Sequence, residues 1–224
     1  MLNLLKDRHA GQRVVIVCNG PSLNTMDLSF LKKEICIGLN KIYLGFSKFK
    51  FYPKYYVAVN QKVLEQSAPE INALTSVKFL SARCPELFKA NALTHIINTH
   101  NPTENFYCDI TQGMEEGYTV TYAALQIAFY LGFKEVIIIG MDHRFDYAGN
   151  PNESKFLAGK DVNHFSSSYF SNQKWDNPDL VNSAKYYAIA KTKYENTGRR
   201  IIDATLDGAC TVFDKRDYRS IFKL

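Results

Sequence analysis

Short polar residues follow apolar runs at several points of the chain, and their types suit the holding of a phosphorylated ligand. Asn19-Gly20-Pro21-Ser22 follows the run 14–18, Asn40 follows 35–39, Asn60 follows 55–59, and Gly140-Met141-Asp142 follows 135–139. Gly20 lets a ligand approach the backbone, Pro21 stiffens the turn, and Asn19 and Ser22 supply short polar side chains. Thr119-Val120-Thr121 opens a helical pattern, where unpaired backbone N–H groups and two hydroxyls can hold a phosphate. His143-Arg144 adds positive charge for the same purpose. His164, in Val162-Asn163-His164-Phe165, is of the type used as a general base near neutral pH. Taken singly, each has a plain structural role, since asparagine forms turns after strands and threonine caps helices. Their convergence on one sheet edge is what argues for a site.

Other chemistries lack their residues. Neither a P-loop nor a G-x-G-x-x-G fingerprint is present. Asp142 stands outside any Asp-x-Asp pair, which argues against a divalent ion held between paired carboxylates. The five cysteines (18, 36, 84, 108 and 210) are scattered and never at C-x-x-C spacing, so neither a disulfide framework nor a structural zinc site is expected. A net charge of +5 and a pI near 8.8 are mild, with lysines dispersed among acids. This suits anionic small ligands and gives no reason to expect nucleic acid.

The elements that must position these residues alternate in type. Apolar β-branched runs at 14–18, 35–39, 55–59, 77–80, 135–139 and 200–204 read as buried parallel strands. Residues 119–131 carry Ala123, Ala124, Ile127, Ala128 and Leu131 at helical spacing, with Gly132 as the stop. A second helix is expected over about 180–196, capped by the stretch Asp176-Asn177-Pro178-Asp179 and ended by Gly198. This grammar predicts an α/β fold with a Rossmann-like, doubly wound, mostly parallel sheet. In such sheets ligands bind outside the carboxyl ends of the strands. Residues 142–177 are polar and aromatic without sustained period, and are expected to form an inserted lid of a single domain spanning 1–224.

Ile16 to Leu23, Gly38 to Tyr43, Gly132 to Asp142 and Asn163-His164-Phe165 with Tyr169-Phe170 resemble the 6-hydroxymethylpterin diphosphokinase MptE-like family. The pattern is shared more distantly by bacterial lipooligosaccharide sialyltransferases and the central domain of Maf-type flagellin glycosyltransferases, over roughly residues 12 to 222. The sialyltransferase resemblance implies a metal-independent enzyme that binds a CMP-activated nonulosonic acid. It implies that Asn19, Gly20, Asn40 and Asn60 hold the nucleotide, that Thr119 and Thr121 contact the phosphate, and that His164 deprotonates the acceptor hydroxyl. Lid tyrosines steady the departing phosphate in those enzymes; Arg144 takes the first such position here, with Tyr147 or Tyr169 to compensate.

The expected function is therefore a glycosyltransferase passing a sugar from a CMP-activated donor to a cell-surface glycan, with no metal required. Ser22, Gly140 and Asp142 would complete the donor site, and His164 and Arg144 would carry the chemistry. A second reading is an ATP-dependent diphosphokinase, needing Mg²⁺ on Asp142 and Asp146. A third is a nucleotide-binding module without turnover. The charged N-terminus and the lack of a long apolar stretch predict a cytoplasmic protein without a transmembrane segment. Peripheral membrane association and homo-oligomerisation stay open.

Overall fold

A computed structural model describes residues 2–224. Its centre is an eight-stranded sheet in which every adjacent pair runs parallel. The strands are β1 (Arg13–Val17), β2 (Cys36–Leu39), β3 (Tyr55–Ala58), β4 (Val77–Ser81) and β5 (Thr94–Ile97), then β8 (Glu135–Ile139), β11 (Arg200–Asp203) and β12 (Asp214–Lys215). Two short strands, β6 (Thr99–His100) and β7 (Met114–Glu115), pair with each other, as do β9 (Ser154–Leu157) and β10 (Gln173–Asp176). The order β12-β11-β8-β1-β2-β3-β4-β5 makes this a Rossmann-like α/β arrangement.

Both faces of the sheet are covered, which is why its strands read as unbroken apolar runs. Val14, Ile16 and Ile138 face the layer of α4 (Val120–Tyr130) and α5 (Leu180–Glu195). Val15, Val17, Ile137 and Ile139 face the other layer, built from α2 (Gln61–Gln66), α3 (Ala68–Ala73) and aromatic side chains of the 142–177 insert. Two helices of four and five residues, α1 (Phe46–Phe49) and α6 (Tyr218–Phe222), complete the set.

Three features differ from expectation. The sheet gains the edges β5 and β12, whose polar residues hide the strand pattern. The β1–β2 connection runs through 3₁₀ turns at Pro21–Asn24 and Ser29–Lys33 rather than a helix, because Pro, Ser, Asn and Asp disfavour the α-helix interior. And α4 is buried from Thr121 to Tyr130 instead of showing a one-sided stripe. Its polar residue Gln126 is admitted because Oε1 accepts from Tyr107 and Glu115 N–H while Nε2 donates to the Glu115 and Tyr122 carbonyls.

The insert is ordered around its rings. Phe165, Tyr169, Phe170 and Trp175 are buried in the second core layer, and the β9–β10 hairpin frames them. Buried Lys41 reaches across to the Tyr169 carbonyl and the Gln173 and Gln66 side-chain oxygens, with Phe170 under its ammonium. Desolvation brings its pKa down to about 8.

Candidate functional site

The strand order reverses beside β1: β2 to β5 extend one way, while β8, β11 and β12 extend the other. The loops leaving β1 and β8 diverge at that switch point and open a crevice. They are knitted together at its base. Gly20 N–H donates to the Gly140 carbonyl at 2.8 Å, and Ser22 donates to Asp142 through its backbone N–H (3.0 Å) and its hydroxyl (2.5 Å). There is no room for a side chain at Gly20. A Cβ would stand 2.5 Å from Asp142 Cγ and 2.7 Å from the Gly140 oxygen. Gly140 has φ +70° and packs on Leu23, so it combines a left-handed conformation with close approach.

Above this base lies a cavity of about 540 Å³, within the range of small-ligand sites. Its walls include Asn19, Gly20, Asn40 and Asn60 from the strand ends. Thr119, Val120 and Thr121 bring the N-terminus of α4 to it, and His143, His164 and Asn177 come from the insert. Backbone strain gathers here: Asn40 (φ +46°), Tyr118 (φ +61°) and His143 (φ +51°) all line the cavity in the left-handed region.

Unspent polar atoms gather here too. Four buried side-chain polar atoms among the described residues lack a partner, and three of them, Oδ1 of Asn19, Asn40 and Asn177, belong to cavity residues. A buried unpaired acceptor costs about 1–3 kcal/mol, so three around one cavity are what a ligand with several donors would satisfy. Asn60 uses its Oδ1 to cap α2 through Val63 N–H, leaving its amide N–H₂.

His164 is held in a fixed pose. Its Nδ1 lies 2.9 Å from Asp161 Oδ2, and its ring stacks on Tyr169 with centroids 3.9 Å apart and planes 4° apart. Burial tends to raise the Asp161 pKa, but the His164 hydrogen bond and charge, with N–H groups of Asn163 and Phe170, bring it below the usual carboxylate value. The pair thus keeps Asp161 ionised and fixes the Nδ1–H tautomer, which leaves Nε2 as the basic atom. His143 is the second cavity imidazole. Desolvation lowers its pKa, against the pull of Asp203 and with the push of Lys215, so it stays neutral near pH 7. Burial raises the Cys18 thiol to about 12, which rules it out as a thiolate nucleophile.

The structure gives several expected site residues particular partners. Arg144 is exposed and donates to the Asp207 carbonyl, outside the cavity wall, because the left-handed turn at His143 aims the preceding ring inward. Tyr147 gives its hydroxyl to the Pro178 carbonyl. The Ser22 hydroxyl is consumed by Asp142, and the Thr121 hydroxyl faces Cys18 Sγ at 3.6 Å. Thr119 caps α4 by accepting from Thr121 N–H and meets the Tyr187 hydroxyl at 3.2 Å. Tyr169 lines the cavity as the stacking partner of His164, with its hydroxyl accepting from Lys41 N–H. Asp161 and Asn177 were missed by sequence reasoning, with the i,i+3 spacing of Asp161 and His164 the one available signal; His143 was expected only as positive charge beside Arg144, and it is the one of that pair that lines the cavity.

The carboxylates do not suit Mg²⁺. Both oxygens of Asp142 are bonded to Ser22, and Asp146 is exposed outside the cavity wall. Among the described residues no group of three or more His, Cys, Asp or Glu is placed to hold a metal ion, and no helix is long and apolar enough to cross a membrane.

Fold and cavity together define a Rossmann-like α/β arrangement with a crevice at its topological switch point. The chain belongs to the 6-hydroxymethylpterin diphosphokinase MptE-like family, whose model matches residues 1–148. Among solved structures it is similar to the Maf glycosyltransferase from Magnetospirillum magneticum AMB-1, with a TM-score of 0.58 and 14% sequence identity. That likeness covers 96% of this chain but 35% of the larger protein, and it shows the shared fold. No curated protein matches the chain.

Proposed function

We propose that the chain is a metal-independent glycosyltransferase of the sialyltransferase-like kind, which moves a nonulosonic acid or similar sugar from a CMP-activated donor to a glycan hydroxyl. The observation that carries the reading is the Asp161–His164 pair, which opens on the same cavity as the N-terminus of α4. A fixed base beside an anion-binding helix end is what transfer from a nucleotide-activated donor to an alcohol requires. The shared fold with a Maf glycosyltransferase adds support.

In this mechanism Asn19, Asn40 and Asn60 orient the nucleotide, and the backbone at Gly20 forms part of the wall it lies against. The phosphate sits at the α4 N-terminus beside His143. The bond from the anomeric carbon to the phosphate oxygen breaks with its electron pair left on the phosphate. The growing negative charge there is met by the helix end and by the neutral N–H of His143. The acceptor oxygen forms the new bond to the anomeric carbon, and its proton passes to His164 Nε2. Asp161 stabilises the imidazolium that results.

The diphosphokinase reading keeps one supporting observation, the description of the family itself, but its Mg²⁺ lacks a fitting pair of carboxylates. The test is His164→Ala. Transfer should fall by at least about 100-fold, the lower end of general-base contributions, with nucleotide affinity nearly unchanged. Loss of both together would assign His164 a structural role and overturn the mechanism.

A further inference from the structure

The cavity does not end at its mouth. Asn60, Arg83, Glu116 and Asp176 belong both to its wall and to that of a second groove of about 530 Å³. One side of this groove is α2, with Gln61, Lys62, Glu65 and Gln66; the other is the hairpin of the insert.

The hairpin's register sets what the groove presents. Asp176 pairs with Ser154 and Lys174 with Phe156, so these four side chains share one face, while Trp175 and Lys155 share the opposite one. Trp175 is buried 6.4 Å from the His164 ring. A single strand therefore turns one residue to the base and its neighbours to the groove. Phe156 is not part of the groove wall, but by register it shares a hairpin face with the wall residues Ser154, Lys174 and Asp176, and it is 62% exposed, an aromatic ring left in water at the groove's border.

We propose that this groove is the acceptor subsite and takes a neutral oligosaccharide, with Phe156 as a stacking platform for a sugar ring. The proposal rests on the transferase reading and names its acceptor class. Three observations select that class. The charges balance, Lys62, Arg83 and Lys174 against Glu65, Glu116 and Asp176, and two of the three cations are already bound in the Lys62–Asp176 and Arg83–Glu116 ion pairs. A polyanion would find no surplus of positive charge. The groove's own lining is amide, hydroxyl and charged groups, which match the donors and acceptors of sugar hydroxyls and offer no apolar pocket to a peptide side chain. And the groove joins the cavity, so a bound chain can pass a terminal hydroxyl towards His164 Nε2 while its remaining sugars lie between α2 and the hairpin.

The test uses the full chain on a printed array of neutral and acidic oligosaccharides, followed by solution titration with the strongest neutral glycan. CMP-induced thermal stabilisation is measured in parallel. Phe156→Ala should weaken neutral-glycan binding at least tenfold and leave the CMP shift unchanged; Phe156→Trp should restore binding. The ring is mostly in solvent, so its removal should not impair folding. Equal binding by wild type and Phe156→Ala overturns the proposal, as does binding of acidic glycans alone or of none while the CMP shift persists. Glycan binding that depends on Phe156 without any CMP shift would keep the groove and overturn the donor reading instead.

Discussion

Gly20→Ala isolates the closest approach in the site. Gly20 has φ −69° and ψ 155°, an extended conformation open to any residue, so the substitution carries no backbone strain and its whole effect comes from contact. The new methyl would meet Asp142 Cγ at 2.5 Å and the Gly140 oxygen at 2.7 Å. The loop has two ways to yield. Spreading the β1 and β8 loops is overpacking, which costs about 1–3 kcal/mol. Swinging Asp142 away breaks a hydrogen bond from Ser22 to a charged group, which costs about 1.5–3 kcal/mol. Either way stability should fall by about 2 kcal/mol, a drop of roughly 4–8 °C in melting temperature for a chain of this size. Chemical denaturation measures the first quantity and calorimetry the second. In an Asp142→Ala background most of the clash is gone, so a double-mutant cycle should return a coupling of about 1 kcal/mol or more. Unchanged stability, or full additivity with Asp142→Ala, would refute the argument that this loop is closed by contact between Gly20 and Asp142.

Other perturbations separate holding from chemistry. Asn19→Ala removes a buried acceptor without a partner, so denaturation should show the free protein as stable or up to about 1 kcal/mol more so, while calorimetric nucleotide affinity falls about tenfold. Gln126→Leu strands the N–H groups of Tyr107 and Glu115 and should cost about 3 kcal/mol in the same assay. The folded-state pKa of Lys41 is about 8, below its unfolded value of 10.5. The unfolded chain therefore binds more protons between these limits, and stability should rise with pH from about 8 to 10.5; Lys41→Met should flatten that rise in a pH series of melts. Asp161 gives a slope of the same sign at acid pH: its pKa is also lowered on folding, so its contribution is present above its unfolded value of 3.8 and is lost as pH falls through the folded pKa. Asp161→Asn should remove that part of the acid limb.

The central strands were legible because burial on both faces writes an unbroken Val/Ile run such as 135–139, and the parallel order followed from what separated those runs. The edge β5 was hidden, since Thr94 and His95 interrupt the pattern where one neighbour strand is missing. The hairpin of the insert was invisible for a different reason. Its register depends on anchors distant in sequence, chiefly Lys62 on Asp176 and Lys41 on the Tyr169 carbonyl. At the site, the neighbourhood was readable and the direction of side chains was not. Asn19, Asn40, Thr119 and His164 reach one cavity, as strand ends and a helix start must. Arg144 lies outside the cavity wall on the Asp207 carbonyl, while its neighbour His143, in the left-handed region, lines the cavity. The Ser22 hydroxyl is spent on Asp142, and the Thr121 hydroxyl, though its residue lines the cavity, faces Cys18 Sγ.

The central claim is that the cavity holds a nucleotide-activated sugar and passes it on without metal. Its most direct measurement is the melting temperature of the full chain with CMP, CDP, UDP, GDP and ADP, each with Mg²⁺ and with EDTA. CMP should stabilise the protein equally in both conditions and more than the other nucleotides; at a concentration of about 100 Kd, binding is worth about 2.7 kcal/mol. Stabilisation by ADP alone, and only when Mg²⁺ is present, would contradict the account and assign the cavity to a diphosphokinase.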